Sequence, residues 1–471
     1  MSTSTRSATP LSIAILAAGK GTRLKSQLPK VLHEIGGLPL LAHVIRAATA
    51  IAPAGSIYCI VGHEAERVRR AVAHYGTQFI EQREQLGTGH ALMQCREALA
   101  GQVAVLVLSG DAPLITPETL TRLRDFHLAQ GAAMTILTAE PPAPFGYGRI
   151  LRQPDGEVSA IVEQKSLAPG QEALREINSG TYVFDVAKLF RYIDQIKTDN
   201  PHREFYLTDI VAILRRAGER VMAVKAENWS EVLGVNTRGE LAALDALLRR
   251  RKAAQLMNEG VTIFQPESCV IDQDVQVGPD TVVGPFVQLL GSTCIGSECK
   301  INSFSVLTNM RVGDGVMIRH GSVLADSVVE NRAILGPYCH IRPESHIGEG
   351  AHVGNFVEVK KARLGRGAKA NHLTYLGDAE IGEKSNIGAG TITCNYDGVH
   401  KHRTVIGKGA FIGSDTTLVA PVTVAEGAYV GAGSCITKDV PADALAVARA
   451  QQVNRPGWAK ARREKIKKDK D

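Results

Sequence analysis

A strand-forming run, Ile13-Ala-Ile-Leu16, leads straight into Leu16-Ala-Ala-Gly-Lys-Gly-Thr-Arg23. Glycines at 19 and 21 let backbone N–H groups approach a phosphate closely, and Lys20 and Arg23 bring compensating charge. Lys30, behind the rigid Pro29, adds a further cation. The pattern is neither a P-loop, which needs G-x-x-x-x-G-K-[ST], nor the dinucleotide fingerprint, because Leu24 stands where the third glycine belongs. Alone, such a segment is equally a plain turn. Asp111 changes that balance. It closes Val103-Ala-Val-Leu-Val-Leu108-Ser-Gly-Asp111, at the carboxyl end of a strand, where open α/β sheets bind ligands. A carboxylate there suits Mg²⁺ on a triphosphate; the alternative is a turn residue before Pro113.

A second group lies far downstream: Arg342, Lys360, Lys361, His372, Tyr375, Asn386, Asn395 and Tyr396. Arg342 and Lys360 suit a sugar phosphate. An unperturbed imidazole titrates near ~6.5, so His372 suits a general base that takes the proton of an attacking amine. A lone histidine is more often structural. His372, however, stands between cationic and amide side chains where the local repeat loses register, and we read it as the base.

Two kinds of element must position these groups. From about residue 10 to 238, short aliphatic runs alternate with helical patterns such as Leu40–Ala52 and Glu64–His74. That alternation predicts a mostly parallel sheet covered by helices. Residues 239–258 are rich in helix formers and predict a linking helix ending near Gly260. Then every sixth residue is aliphatic: Ile271, Val277, Val283, Leu289, Ile295, Ile301 and Leu307, then Leu335, Ile341, Ile347, Val353 and Val359, and again Ile406, Ile412, Leu418, Val424, Val430 and Ile436. Six is the hexapeptide period of a parallel β-helix. Register slips near 308–312, 325–335 and 360–406 predict loops inserted into the coil.

Composition bounds the rest. The 471 residues predict two or three domains, and 46 glycines with only 5% aromatics fit a region of tight turns. The net charge of +6 is concentrated at the C-terminus, in a basic tail read as solvated or as an aid to holding an anionic ligand. No base-reading motif points to nucleic acid. The eight cysteines form no C-x-x-C pair and fit a reducing compartment. No apolar stretch reaches the ~20 residues of a membrane span. A cytoplasmic protein is expected.

The N-terminal segments together resemble the sugar-nucleotide pyrophosphorylase family: Leu16 to Arg23, Pro29-Lys30, Gln85-Leu-Gly-Thr-Gly-His90, Gly146-Tyr-Gly-Arg149, Ile161-Val-Glu163, Glu176-Ile-Asn-Ser-Gly180 and Gly234-Val-Asn236. With Gly350 to Arg363, Asn371 to Ile381 and Asn386 to Gly398, the likeness extends over about residues 11–458. It points to the bacterial bifunctional N-acetylglucosamine-1-phosphate uridyltransferase and glucosamine-1-phosphate N-acetyltransferase family. The resemblance implies a Rossmann-like α/β nucleotidyltransferase with a mixed sheet at 1–238, a helical linker at 239–259, and a left-handed parallel β-helix with a basic tail at 260–471, assembled as a homotrimer. The implied reactions are acetyl transfer from acetyl-CoA to glucosamine 1-phosphate, then uridyl transfer from UTP to give UDP-N-acetylglucosamine, a peptidoglycan and lipopolysaccharide precursor.

Residue roles follow from the same resemblance. Asp111 and Asn236 would ligate Mg²⁺. Leu16, Ala17, Ala18, Gly19, Lys30, Gln82, Gly87, Thr88, Ser109, Gly110, Gly148, Glu163 and Asn178 would complete the sugar-nucleotide site. His372 would be the base, with Glu358 as its aid. Arg342, Lys360, Tyr375 and Asn386 would bind the amino-sugar phosphate. Ala389, Asn395, Tyr396, Ser414, Ala432 and Arg449 would contact acetyl-CoA. Some relatives carry an aromatic residue at the position of Ser109. A competing reading is a pyrophosphorylase whose β-helix only oligomerises or senses an effector; another is a scaffold subunit with a dead nucleotidyltransferase domain.

Overall fold

Apolar strands buried on both faces demand cover on both sides, and the first part of the chain supplies it. The computed structural model describes residues 11–200 and 202–469, and the chain divides into two compact units after Leu248. In the first, the strands of the main sheet are β1 (Leu11–Ala17), β2 (Ile57–Val61), β3 (Gln78–Glu81), β4 (Ala104–Ser109), β5 (Met134–Ala139), β6 (Arg149–Arg152), β7 (Val158–Val162), β8 (Ile177–Asp185) and β9 (Val221–Lys225). The main row runs β9-β5-β8-β4-β1-β2-β3, with β6 and β7 attached to β8. The β1, β2, β3 and β4 pairings are parallel, whereas β8 runs antiparallel to β4 and β5. The sheet is therefore mixed. Ile13, Ala14 and Ile15 of β1 and Val105, Leu106 and Val107 of β4 are fully buried. This holds the strand ends that carry Ala17 and Ser109 side by side, through the pairing of Leu16 with Ser109.

The expected helices form with shorter ends. Leu40–Ala52 is helical to Thr49, and Glu64–His74 is α-helical over Ala65–Val72, continuing as a 3₁₀ turn. The linking helix spans Arg238–Asn258. Leu244 and Leu248 on its first half pack with Leu24, Ile35, Leu40 and Leu114 of the first unit. Ala253 and Leu256 on its second half join the core of the second unit.

That second unit is the parallel β-helix its period predicts. Three sheets of eleven, ten and nine short strands stack along it, each strand pairing in parallel with the next coil. One aliphatic side chain per strand points inward; Val283, Ile301, Ile318, Leu335 and Val353 are all buried to within 1%. Burying each contributes about 1.5–3 kcal/mol, and each coil depends on its neighbours for it.

The register slips have a different meaning from the one expected. Leu307 to Val312, Leu324 to Val329, Val359 to Leu364 and Leu376 to Ile381 are five-residue steps, and all four fall at one corner of the coil. They are tightened corners rather than insertions. One insertion, after Ile392–Cys394, separates that strand from Thr404–Ile406. His372 accordingly ends a strand, Lys369–His372, rather than sitting on an inserted loop.

Candidate active sites

The crevice at the carboxyl ends of β1 and β4 holds a cavity of about 590 Å³. Leu16, Ala17, Ala18, Gly19, Lys30, Gln82, Gly87, Thr88, Ser109 and Asp111 line it, with Lys20, Gly21, Thr22, Gln85 and Glu204. Gly110 lies just under it: its amide donates to Leu16 O at 3.0 Å, and a Cβ there would stand 2.9 Å from that oxygen. Gly87 is held at φ 108°, and a Cβ would meet the backbone of Phe205 at 2.8 Å, so the close approach requires glycine. The Gln82 amide donates to Gly87 O at 3.0 Å, fixing this loop against the strand.

Electrostatically the centre of the site is Lys30. Its ammonium pairs with the Asp111 carboxylate and donates to Asn236 Oδ1 at 2.9 Å, and Arg23 donates to the same oxygen at 2.7 Å. Ser109 Oγ donates to Asp111 at 2.6 Å, which gives this serine a contact of its own. Two hard oxygen donors, one anionic, thus converge on a point where a cation already sits. That donor set fits Mg²⁺ completed by phosphate oxygens and water.

Gly148, Glu163 and Asn178 do not line this cavity. They gather beside it where β6, β7 and β8 meet: the Asn178 amide donates to Gly148 O at 2.9 Å. Desolvation first, then the nearby Asp209, pushes the Glu163 carboxyl above its ordinary range, against a hydrogen bond from Thr208. A carboxylate so placed gains from a ligand that donates hydrogen bonds to it. Glu204 carried no motif. It reaches the cavity because the Phe205 amide donates to Leu86 O and the Gly89 amide donates to Phe205 O, both at 2.8 Å, closing residues 204–205 over the Gln85–Gly89 loop.

On the β-helix, side chains far apart in sequence stack coil upon coil. Lys360 pairs with Gly377 and Glu358 with Tyr375. A Cβ at 377 would run into Tyr375 OH, so Gly377 leaves room for the ring. Arg342 donates to Glu358 at 2.8 Å, and Lys361 pairs with Glu344 at 2.9 Å. The Lys360 ammonium is held below its ordinary pKa chiefly by Lys401, then by Arg342. Three cations converging on one place, two of them repelling, make an anion site. Lys401 was not legible in the sequence; the insertion carries it back, through a bridge between Tyr396 and Lys401.

His372 ends a strand, Lys369–His372, of the neighbouring sheet. Its Nδ1 is 2.7 Å from Asn355 Oδ1, the residue opposite it in the neighbouring strand. Glu358, expected as its aid, is engaged with Arg342 instead. Asn386 is not on the Tyr375 sheet; it pairs with Lys369 and Phe411 on the sheet that carries His372. Above His372, the same register places Ala389, Ser414 and Ala432 one above another: the Asp415 amide donates to Ala389 O at 2.7 Å and the Gly433 amide to Ser414 O at 2.8 Å. Arg449 closes the column, donating to Ala432 O at 2.8 Å. Small side chains thus stack from the imidazole to a guanidinium. Asn395 is buried and its amide holds the Asp378 carboxylate, while Tyr396 is exposed beside it.

Residues 13–263 match the MobA-like NTP transferase domain, and residues 326–361 and 403–438 match the bacterial transferase hexapeptide (six repeats). The chain is 61% identical over 461 residues to the bifunctional protein GlmU of Koribacter versatilis, covering 97% of this chain and 98% of that one. It is 50% identical over 459 residues to the bifunctional protein GlmU of Solibacter usitatus, with 97% and 98% covered. To that of Streptococcus thermophilus it is 48% identical over 446 residues, with 94% and 96% covered.

Proposed function

The chain belongs to the bifunctional GlmU family, and from that premise we propose how its two sites divide the work. It is an acetyltransferase and a uridyltransferase in one polypeptide. The uridyltransferase occupies residues 1–238, a helical linker 239–259, and the acetyltransferase with its basic tail 260–471.

In the first site the backbone of Ala17 to Gly21 and the ammonium of Lys30 receive the UTP phosphates, and the loop Gln82–Thr88 receives the base. Gly148, Glu163 and Asn178 hold N-acetylglucosamine 1-phosphate so that its phosphate oxygen attacks the α-phosphorus and pyrophosphate leaves. Asp111 and Asn236 would hold Mg²⁺, which supplies neutralisation of charge on the phosphates. The convergence of both oxygens on the Lys30 ammonium carries this reading.

In the second site Arg342, Lys360 and Lys401 take the phosphate of glucosamine 1-phosphate and Tyr375 lies along the sugar. His372 accepts the proton of the amine as its nitrogen attacks the thioester carbonyl, and the thiolate of coenzyme A leaves. Ala389, Ser414, Ala432 and Arg449 line the acetyl-CoA groove, and Asn395 and Tyr396 its wall. The stack of small residues directly above the imidazole carries this assignment. It also disfavours the reading of the β-helix as a mere oligomerisation module.

The working assembly is a homotrimer. Phe286 stacks on Phe304 at 5.2 Å and Tyr338 on Phe356 at 5.8 Å; these rings and Leu373, next to His372, are each half or more exposed. An apolar ladder of that kind suits burial against another copy. The helix Trp458–Lys468 has no buried residue, as a solvated tail should, and its charge is available to the pyrophosphate of coenzyme A. Among the described residues no helix is long and apolar enough to cross a membrane; a cytoplasmic enzyme fits substrates of this kind. Supplying purified protein with UTP, acetyl-CoA and each sugar phosphate, and following pyrophosphate and free thiol separately, tests both halves. Thiol release without glucosamine 1-phosphate dependence would overturn the second.

A further inference from the structure

We propose that Asn355 is the positioning residue of the acetyltransferase: its amide oxygen holds the proton of His372 on Nδ1 and leaves Nε2 as the base. This rests on the reading of His372 as that base.

The observation is a contact made by topology. Asn355 and His372 are Cα partners at the ends of two parallel strands, and Asn355 Oδ1 lies 2.7 Å from His372 Nδ1. The Leu373 amide donates to Asn355 O at 3.0 Å, so the backbone on both sides of the pair is tied. An amide oxygen only accepts, so Nδ1 must carry hydrogen, and the neutral ring then has its free lone pair on Nε2. A histidine without such a partner spreads over two tautomers and rotates; only one arrangement takes a proton from a bound amine.

The choice of an amide over a carboxylate has a consequence. A carboxylate at Nδ1 fixes the same tautomer and also stabilises the imidazolium, raising the pKa of the ring. An amide fixes the tautomer with no added charge. The carboxylate of Glu358 is taken by Arg342.

The test uses the full-length protein with three variants, and the melting temperature and oligomeric state of each serve as the control of folding. Asn355→Ala lowers kcat for acetyl transfer by about 10–100-fold with little change in KM, because substrate contacts remain. Asn355→Asp keeps the bond, recovers most of that loss, and moves the acidic limb of the kcat–pH profile upward by about one unit. Long-range ¹H–¹⁵N spectra of His372 show the Nδ1–H tautomer in the parent protein and a mixture in Asn355→Ala. An Nε2–H tautomer in the parent protein overturns the proposal, as does an Asn355→Asp variant whose acidic limb stays in place. His372→Ala separates the two claims: if it retains acetyl transfer, the base assignment itself fails, whatever Asn355 does.

Discussion

Asn236 Oδ1 accepts a 2.9 Å hydrogen bond from the ammonium of Lys30, a residue 206 positions earlier in the chain. Lys30 also meets Asp111, so one cation marks the point where two oxygen donors from distant segments converge. A metal bound there answers to the same two oxygens.

Asp111→Ala therefore removes the anionic donor. Pyrophosphate release should fall by about 10²–10³-fold, while acetyl transfer continues at the parent rate. Chelation of divalent cations should have the same selectivity. Pyrophosphate release that is still Mg²⁺-dependent in Asp111→Ala would take this residue out of the site.

His372→Ala should reduce acetyl transfer by about 10²–10⁴-fold, the span of general base catalysis, and leave uridyl transfer untouched. Free-thiol release measures the first and pyrophosphate the second. A loss of less than fivefold would assign the base elsewhere.

Lys401→Ala relieves the repulsion that holds the Lys360 ammonium below its ordinary pKa. KM for glucosamine 1-phosphate should rise about tenfold, as expected for loss of a charged hydrogen bond, with no fall in the melting temperature of the ligand-free protein. Unchanged KM would remove Lys401 from the phosphate site.

Asp397 anchors the insertion. It accepts the amides of His400 at 2.6 Å and Val399 at 2.7 Å and faces His402 Nε2 at 2.7 Å. Chiefly the His400 amide, then His402, holds its carboxyl at about 2. Because the folded pKa is depressed, the anchoring is fully present above the ordinary value of ~3.9 and is lost as pH falls through about 2. Hydrogen exchange should find residues 396–402 protected at pH 5 and exposed in Asp397→Ala at the same pH, with weaker acetyl-CoA binding. Equal protection in the variant would refute the anchor.

Fragments place the boundary. Leu244 and Leu248 are buried in the first unit. A fragment ending at 238 lacks both, and should be less stable than one ending at 250 by about 3–6 kcal/mol, from ~1.5–3 kcal/mol per leucine. Denaturant titration compares the two. The longer fragment should retain uridyl transfer as a monomer, whereas acetyl transfer should require the trimer, which sedimentation and activity measured together will decide.

The sequence alone determined whatever is local or periodic. Gly19, Gly21 and Asp111 follow strands directly, so their place at the strand ends was readable. The hexapeptide period stated the β-helix outright, because an inward aliphatic residue must recur once per strand. What only the tertiary structure decided depends on stacking between coils or on loops that return. The five-residue steps read as insertions because a shortened corner and an added loop both shift the period. Glu358 stood out as the partner of His372, yet Arg342 binds it, and Asn355 takes that place because parallel pairing sets residue 355 against residue 372. Lys401 and Glu204 reach their sites through chain reversals that no local pattern announces. Solenoid stacking turns a separation of 17 residues into a single contact, and that conversion happens only when the coil closes.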